Sequence, residues 1–369
     1  MFDFLIVGAG LFGATCARLL AEAGKSVKVI EKRGQIGGNC ADERVEVGAC
    51  DAPLLVNRYG GHIFHTSSRE VWDFVRRFSD FRLYEHRVKA KVGWKVHSFP
   101  VNLMTLQGIY GTNSPDKARV VLPDGADGII GLNAELYEMF FRGYSEKQWG
   151  GEAPKGAMER IPVRLTWDDR YYDDVYQGMP ENGYSEMIGK MLDGVPVLCN
   201  TDYLEDREHW DGEAAQVIYS GSIDALFGCD EGWLPYRSLR WENEIEDEDF
   251  QGCATVNYCD AGVPYTRILE WQHYGHRSRP GKSLITFEYP ETYAPGQNEP
   301  MYPVVNEESK RLHMKYRERV PENMWVGGRL GDYRYLDMDE TIEMAMRVCT
   351  SACCQRMGPD KTVRRTGTD

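Results

Sequence analysis

Three glycines near the N-terminus, Gly8, Gly10 and Gly13, have the spacing of a loop that binds a pyrophosphate. An apolar run at residues 4–7 precedes them, and helix-forming residues follow over 14–23. In such a loop the first glycine allows a tight turn, the second lets a phosphate approach the backbone, and the third lets the helix pack on the strand. The start of the chain therefore predicts a strand, turn and helix that bind a dinucleotide.

The next chemical group along the chain is the carboxylate of Glu31, at the end of a second predicted strand over residues 27–31. A carboxylate at this distance from the glycines binds ribose hydroxyls of a dinucleotide. Gly37 and Gly38 follow and let a second backbone segment lie close to the same ligand. An ordinary strand, turn and helix without a ligand is the alternative. The segment 31–39 resembles that of FAD-dependent oxidases and mutases more than that of nicotinamide dehydrogenases, so we expect FAD.

Charge and hydropathy restrict the partners of the chain. A formal net charge of −14 argues against nucleic acid, because its phosphates require a basic surface. An anionic substrate would therefore need a local cluster of arginines. No apolar run approaches the roughly 18–20 residues that cross a bilayer, and the N-terminus predicts a strand instead of a signal peptide. We expect a cytoplasmic protein without membrane insertion.

Length and cysteine content are those of an ordinary globular protein. A chain of 369 residues indicates two or three domains. The ten cysteines are scattered without a Cys-x-x-Cys pair, which favours reduced thiols.

Periodicity predicts an interleaved α/β chain. Helices are predicted over 69–79, 185–193 and 337–356 and through most of 102–150, with turns near 111–115 and 123–128 and a disordered tail at 358–369. Strands are predicted over 214–221, 250–258, 265–271, 282–289 and 324–330. Residues 86–99 alternate as a half-buried hairpin does, with one face formed by Val88, Ala90, Val92, Trp94 and Val96.

Because dinucleotide-binding segments recur at the start, middle and end, the other domains are predicted to be insertions. The expected fold class is α/β, with a Rossmann-like FAD-binding core, an inserted mainly helical domain and an antiparallel β-sheet domain. The predicted parts are 1–83, 185–239 and 310–369 for the core, 84–99, 161–184 and 240–309 for the sheet domain, and 100–160 for the helical substrate-loop domain.

Nine short blocks in order resemble the bacterial UDP-galactopyranose mutase family along nearly the whole chain. They are residues 8–13, 31–33 with 36–39, 59–66, 143–150, 160–164, 176–180, 263–268, 302–304 and 327–335. The resemblance implies an isomerase that interconverts UDP-galactopyranose and UDP-galactofuranose for cell-surface polysaccharide biosynthesis, with no net redox change. It implies that FAD is active in its reduced form and that its N5 forms a covalent adduct with C1 of the sugar as UDP leaves. It also implies a homodimer, and it leaves open whether NAD(P)H or a reductase reduces the flavin.

The resemblance assigns the substrate and catalytic residues. A departing diphosphate develops negative charge, which guanidinium and phenol groups stabilise. Arg164 and Arg267 are expected to hold the diphosphate, and a surface role for either arginine is the alternative. The expected catalytic residues are Arg164, Arg267, Tyr302, Tyr335 and His62. The expected substrate-binding residues are these two arginines and two tyrosines with Tyr176 as a further hydroxyl donor, Tyr144 on the uracil, Trp149 on a loop that closes over the sugar, and Asn257 on the uridine side.

The resemblance also assigns the cofactor residues. His62 is expected to lie against the isoalloxazine, Arg329 at the pyrophosphate or flavin edge, and Asp337 near the ribityl chain, although a helix N-terminal charge is the alternative for Asp337. The expected set is Gly8, Gly10, Leu11, Phe12, Gly13, Glu31, Lys32, Gly38, Asn39, His62, Ile63, Arg329, Tyr335, Asp337 and Met338. No metal is expected, because no third ligand accompanies His62 and His65.

Departures from the family pattern leave alternatives open. Glu85 and His86 replace the polar pair that usually faces the sugar, so a modified UDP-hexose, such as an N-acetylated sugar, is an alternative substrate. A flavin oxidase or desaturase with the same core would need an electron acceptor but no pair of arginines around a diphosphate. A flavin-binding protein without catalysis is the third alternative.

Overall fold

The computed structural model describes residues 1–48, 53–122, 133–151, 163–274 and 282–354. The predicted turn near 123–128, the first residues of the block at 160–164, the end of the helix predicted to reach 356 and the tail at 358–369 lie outside these residues.

The strands of the described part, in chain order, are β1 (Phe2–Val7), β2 (Val27–Ile30), β3 (Asp42–Val45), β4 (Leu54–Asn57), β5 (Phe64–Thr66), β6 (Phe81–Leu83), β7 (Val88–Val92), β8 (Lys95–Phe99), β9 (Tyr176–Pro180), β10 (Val197–Leu198), β11 (Ala214–Tyr219), β12 (Tyr236–Glu246), β13 (Thr255–Tyr258), β14 (Arg267–Glu270), β15 (Ser283–Thr292), β16 (Tyr302–Pro303) and β17 (Met324–Val326). The helices are α1 (Leu11–Glu22), α2 (Arg69–Val75), α3 (Leu103–Tyr110), α4 (Pro115–Val121), α5 (Ala134–Tyr137), α6 (Gly143–Trp149), α7 (Tyr184–Met191), α8 (Arg207–Glu213), α9 (Glu307–Glu318), α10 (Gly328–Gly331) and α11 (Met338–Cys354). A π-helical turn over Glu138–Arg142 joins α5 to α6.

A parallel five-stranded sheet forms the dinucleotide-binding core, in the order β10-β2-β1-β11-β17. Its central strands are mainly apolar, as expected for a parallel sheet covered on both faces, and Leu5, Ile6, Val29 and Ile30 are fully buried. Helices α1 and α11 pack against each other beside this sheet. The predicted α/β class and Rossmann-like core are confirmed.

An antiparallel seven-stranded sheet carries most of the candidate site, in the order β16-β12-β15-β14-β13-β7-β8, with only the β13–β7 pair parallel. Strand β12 was missing from the sequence prediction. The reason is that its second half, from Arg240 onward, is mostly exposed and charged, so the apolar alternation typical of a strand is lost.

The predicted hairpin exists as β7 and β8, but its predicted face is wrong. Val88 and Ala90 are buried, whereas Trp94 is 98% and Val96 59% exposed. The chain reverses at Gly93, which has a φ of +54°, and this reversal places Val96 opposite Lys91 on the other face.

Helices α3 to α5 and the π-helical turn pack over the β7–β8 end of the sheet through a separate core that includes Leu106, Phe140 and Phe141. Asn102 begins α3 with a capping box, in which its side chain accepts from the backbone of Met104 and Thr105. No helix in the described ranges has the length and apolar character needed to cross a bilayer. The nine cysteines that these ranges include are free thiols.

Candidate active site

The glycine loop between β1 and α1 has the backbone that a phosphate-binding turn needs. Gly8 has a φ of +106°, and a Cβ on Gly13 would overlap the carbonyl oxygen of Gly8. Gly10 forms a backbone bridge with Gly37, and a Cβ on Gly10 would lie 3.4 Å from Cα of Gly38. The two glycine segments predicted to approach a ligand therefore lie against each other. Next to them, Leu11 and Phe12 are buried in the first turn of α1.

The carboxylate of Glu31 organises the adjoining loops. It is 7% exposed and accepts from the backbone N–H of Ala9 at 2.7 Å and of Arg33 at 2.8 Å. The side chain of Arg33 donates to Asn39 Oδ1 at 3.1 Å. Lys32 points to solvent and pairs with Asp202 at 3.2 Å.

His62 lies in the turn between β4 and β5. Its Nδ1 is 2.8 Å from the carbonyl oxygen of Gly60, and its backbone N–H donates to Asn57 Oδ1 at 3.1 Å. Burial, assisted by the charges of Arg329 and Arg267, lowers the pKa of His62 to about 4, although the Gly60 carbonyl acts to raise it. The ring is therefore neutral at pH 7, with its proton on Nδ1 because a carbonyl oxygen only accepts. Ile63, the next residue, is buried.

Four functional side chains lie in one row across the antiparallel sheet. Trp241 on β12 is opposite Glu288 on β15, and Glu288 is opposite Arg267 on β14. Arg267 is opposite Asn257 on β13, which is opposite Ala90 on β7. Because directly opposed residues point to the same face of a sheet, the row presents all of these side chains on one side.

Arg267 is fixed by Glu288. Its Nε donates to Oε1 of Glu288 at 2.6 Å, and the carboxylate is fully buried. Burial lowers the pKa of Arg267, but Glu288, together with Tyr144 and Tyr302, outweighs burial and raises it well above the ordinary value. Arg267 is therefore a permanent cation. Because Glu288 contacts Nε, the Nη1–Nη2 edge is the part of this guanidinium that suits phosphate oxygens.

Arg164 is placed differently from Arg267. It is 9% exposed, its Nη2 lies 2.8 Å from Asp173 Oδ1 and donates to the carbonyl of Tyr171 at 3.2 Å, and its Nη1 donates to the carbonyl of Arg170. Its buried Nε has no hydrogen-bond partner among the described residues. The phenol of Tyr171 is within electrostatic reach of both Arg164 and Arg267.

Arg329 joins the two expected tyrosines at the end of the site. Its guanidinium carbon is 5.3 Å from the ring centroid of Tyr302 and 5.0 Å from that of Tyr335, and its Nη2 donates to the carbonyl of Leu336 at 2.7 Å. Asp337 immediately precedes α11, where a carboxylate favours a helix N-terminus, and Met338 is the first residue of that helix.

Helix α6 carries Tyr144 and Trp149, and Arg237 holds its C-terminal end. The buried Nε of Arg237 donates to the carbonyl of Gln148 at 2.8 Å, and Nη2 donates to that of Lys147 at 3.1 Å. A cation at a helix C-terminus donates hydrogen bonds to carbonyl groups that have no partner within the helix. Tyr144 follows the start of α6 and is an electrostatic neighbour of Arg267.

Tyr176 belongs to a different aromatic group. It lies on β9, and its ring stacks on Trp72 with centroids 5.4 Å apart. The ring of Tyr176 therefore contacts a residue of α2. Tyr144, Tyr302 and Tyr335, in contrast, lie near Arg267 or Arg329.

Comparison of this chain with known proteins identifies its family. A family model described as UDP-galactopyranose mutase matches residues 139–335, and one described as NAD(P)-binding Rossmann-like domain matches residues 6–78. A Klebsiella pneumoniae protein named "Probable UDP-galactopyranose mutase" is 39% identical to this chain, over 94% of this chain and 93% of its own length. The chain belongs to the UDP-galactopyranose mutase family.

Two further comparisons concern a relative with a different named substrate and a solved structure with a similar fold. A dTDP-fucopyranose mutase of Escherichia coli is 36% identical over 94% of this chain and 97% of its own length. A solved structure of reduced UDP-galactopyranose mutase has a TM-score of 0.70 over 99% of this chain and 98% of that one, at 14% sequence identity, so this likeness concerns the fold.

The residues present fit the flavin dinucleotide on which UDP-galactopyranose mutases depend. The glycines of these loops suit a pyrophosphate, because a Cβ on Gly10 or Gly38 would fill the narrow space between the two loops and a Cβ on Gly8 would overlap Oγ of Ser220. Glu31 lies at the end of β2, the position of a ribose-binding carboxylate.

Glu288, Trp241 and Arg237 are site residues that were not predicted from the sequence. Glu288 is an acidic residue within the predicted apolar strand 282–289, and a buried carboxylate in such a strand signals a cationic partner. Trp241 and Arg237 lie on β12, so without that strand their neighbours could not be assigned.

Among the residues that the structure describes, one group of potential metal ligands occurs outside this site: atoms of Asp249, Glu270 and His273 lie within 4.8 Å of one another. The buried Glu270 carboxylate accepts from the backbone of Phe250 and Gln251 at 2.8 Å each. These bonds give Glu270 a structural role in holding the turn before β13.

Proposed function

We propose that this protein is a flavin-dependent isomerase that interconverts UDP-galactopyranose and UDP-galactofuranose. The observation that carries the proposal is the row in which Arg267, bound through Nε by Glu288, stands beside Asn257 and is an electrostatic neighbour of Tyr144 and Tyr302. A permanent cation, a neutral amide and phenols on one sheet face suit a nucleoside diphosphate joined to a sugar.

In this proposal the two arginines stabilise the diphosphate as its bond to the sugar breaks. Arg267 offers its Nη1–Nη2 edge to phosphate oxygens, and Tyr302 and Tyr335 donate hydroxyl hydrogen bonds. Arg164 binds the second phosphate by exchanging Asp173 for the substrate, since Asp173 is 70% exposed and free to move away. Asn257 binds the uridine, Tyr144 stacks on the uracil, and Trp149 covers the sugar and excludes water.

The remaining expected residues hold the cofactor. When bound and reduced, FAD supplies the nucleophile for the anomeric carbon. The glycine loops and Glu31 bind its dinucleotide, with Lys32 and Asn39 beside them. His62, Ile63 and Arg329 lie at its ring end, and Asp337 and Met338 near the ribityl chain. His62 is neutral and its Nδ1 is engaged by Gly60, so Nε2 is an acceptor at this end.

We also propose that the chain is divided into a cofactor-binding core, a sheet domain and a helical substrate-loop domain. The parallel sheet binds the cofactor, the antiparallel sheet presents Arg267, and the helical segments supply Tyr144 and Trp149. The proposal also includes a cytoplasmic homodimer. Support for these parts comes from the family resemblance.

A second candidate is a mutase for a different nucleotide hexose. The E. coli relative named dTDP-fucopyranose mutase is 36% identical, close to the 39% of the K. pneumoniae protein. A dTDP-6-deoxyhexose is therefore a second substrate class to test, together with an N-acetylated UDP-hexose. Membership of the mutase family disfavours the oxidase and desaturase alternative.

The test is turnover by the purified flavoprotein. The protein should contain one FAD per chain and, after reduction with dithionite under argon, should convert UDP-galactofuranose to UDP-galactopyranose on anion-exchange chromatography. The oxidised sample is the control and should be inactive. Parallel incubation with dTDP-fucofuranose decides between the two candidates by their kcat/KM. If the reduced protein converts neither UDP-galactofuranose nor dTDP-fucofuranose, both candidate functions are refuted.

A further inference from the structure

The indole of Trp241 lies behind Glu288, on the side opposite to Arg267. Its Nε1 donates to Oε2 of Glu288 at 3.3 Å, while Oε1 of the same carboxylate accepts from Arg267 at 2.6 Å. The three residues are opposed across neighbouring strands β12, β15 and β14. Each carboxylate oxygen thus has its own donor, one from each flanking strand.

This arrangement restricts how the carboxylate can turn. A fully buried carboxylate is unfavourable unless its oxygens are hydrogen-bonded. If the Trp241 donor at Oε2 is removed, that oxygen has lost its hydrogen bond. The Glu288 carboxylate is then more stable when it turns so that both oxygens bind the Arg267 guanidinium, which prefers a bidentate contact. That turn would occupy one terminal nitrogen of Arg267 and withdraw it from a bound diphosphate.

Trp241 is itself held by ring packing. Its ring meets that of Tyr59 edge to face, with centroids 5.7 Å apart, and the guanidinium of Arg33 covers Tyr59 at 4.7 Å. Gly60 follows, and a Cβ there would lie 2.7 Å from Oε2 of Glu288 and 3.3 Å from Nε1 of Trp241. The same turn gives its Gly60 carbonyl to His62. Trp241 and Glu288 therefore contact both the turn that carries His62 and the arginine of the substrate site.

We propose that Trp241 is a positioning residue for the substrate diphosphate. It acts through Glu288, by keeping that carboxylate on Nε of Arg267 and the Nη1–Nη2 edge available to phosphate. This inference rests on the proposed function, because it takes the ligand of Arg267 to be UDP.

The test compares Trp241→Phe with Trp325→Phe in the full-length flavoprotein. Both substitutions keep an aromatic ring and remove an indole donor, but Trp325 donates to Gln216 at 2.9 Å within the parallel sheet. The main measurement is the dissociation constant for UDP by calorimetry on oxidised protein, which needs neither turnover nor reduction. We expect Trp241→Phe to weaken UDP binding about tenfold or more, the effect of one hydrogen bond to a charged group, and Trp325→Phe to leave it unchanged.

A double-mutant cycle separates positioning from general loss of structure. If Trp241 acts through Glu288, Trp241→Phe should have little further effect on UDP binding in a Glu288→Gln background, since the carboxylate it orients is gone. Additive losses in the double variant, or wild-type UDP affinity in Trp241→Phe, would overturn the inference while leaving the proposed function intact. If the wild-type protein does not bind UDP, the proposed function itself fails.

Discussion

The ring of Tyr302 stacks on that of Tyr335, with centroids 5.5 Å apart and planes 11° apart. The two tyrosines come from β16 and from the loop before α11, and the guanidinium of Arg329 lies over both rings. One cation therefore contacts both a strand of the antiparallel sheet and the segment that precedes the last helix of the parallel core.

Arg329→Met should weaken flavin binding. The change keeps an unbranched chain but removes the charge over the two rings and the bond to Leu336. We expect the dissociation constant for FAD to rise about tenfold, since a cation–π contact and a charged hydrogen bond together contribute roughly 1–2 kcal/mol. Fluorescence titration of the deflavinated protein measures it. Arg334→Met is the matched control, because its side chain is 56% exposed. Equal FAD affinities in the two variants would contradict the assignment of Arg329.

Arg267→Ala should abolish turnover and retain the flavin. The loss of a charged donor at a developing negative charge lowers kcat by about 100-fold or more, and the glycine loops that bind FAD lie elsewhere. Steady-state kinetics with reduced enzyme and the flavin absorbance per chain are the measurements. Arg240→Ala, on the exposed part of β12, should behave as wild type. Near-normal activity of Arg267→Ala at saturating substrate would remove this residue from the mechanism.

Gly13→Ala should destabilise the protein, whereas Gly108→Ala should not. Both glycines lie inside helices, α1 and α3. A methyl group on Gly13 would overlap the carbonyl of Gly8, but one on Gly108 meets nothing within 4 Å. We expect a loss of about 2–3 kcal/mol and of bound flavin for the first, and a gain of about 0.5–1 kcal/mol for the second. Urea unfolding checks both values, and equal midpoints for the two variants would show that α1 does not pack as described.

Acid should destabilise the protein partly through His86. This ring is 4% exposed, and burial, with the charges of Arg267 and His65, lowers its pKa to about 3. A depressed folded-state pKa contributes stability that is present above the unfolded value near 6.5 and is lost as pH falls through that value toward 3. Between pH 7.5 and 5.5, protonation of His86 in the unfolded chain should lower the free energy of unfolding by about 1.4 kcal/mol.

The measurement is urea unfolding at these two pH values for wild type and His86→Gln. The variant is expected to lose less stability than wild type over this interval, whatever its stability at pH 7.5. His209→Gln, on the surface helix α8, is the control and should keep the wild-type pH dependence. Equal pH dependence of His86→Gln and wild type would show that His86 does not titrate on unfolding.

The sequence was sufficient for the parts of this structure that depend on local pattern. The glycine spacing and the apolar run of β1 predict the dinucleotide loop, and the alternation around Val88 predicts the hairpin. The sequence pattern did not show whether the chain reverses at Gly93 or continues as one alternating strand. Trp94 and Val96 were therefore predicted on the wrong face. Trp241 was not predictable, because its partner Glu288 lies 47 positions along the chain and only sheet register brings the two together.

The parallel sheet also determines when the protein can fold during synthesis. Strand β1 pairs with β11, about 210 residues later, and β11 pairs with β17 near residue 324. A ribosome must therefore release most of the chain before the nucleotide cradle gains its neighbouring strands. We therefore expect the cradle to accept a flavin only after β17 has left the ribosome, because shorter nascent chains lack part of the core sheet.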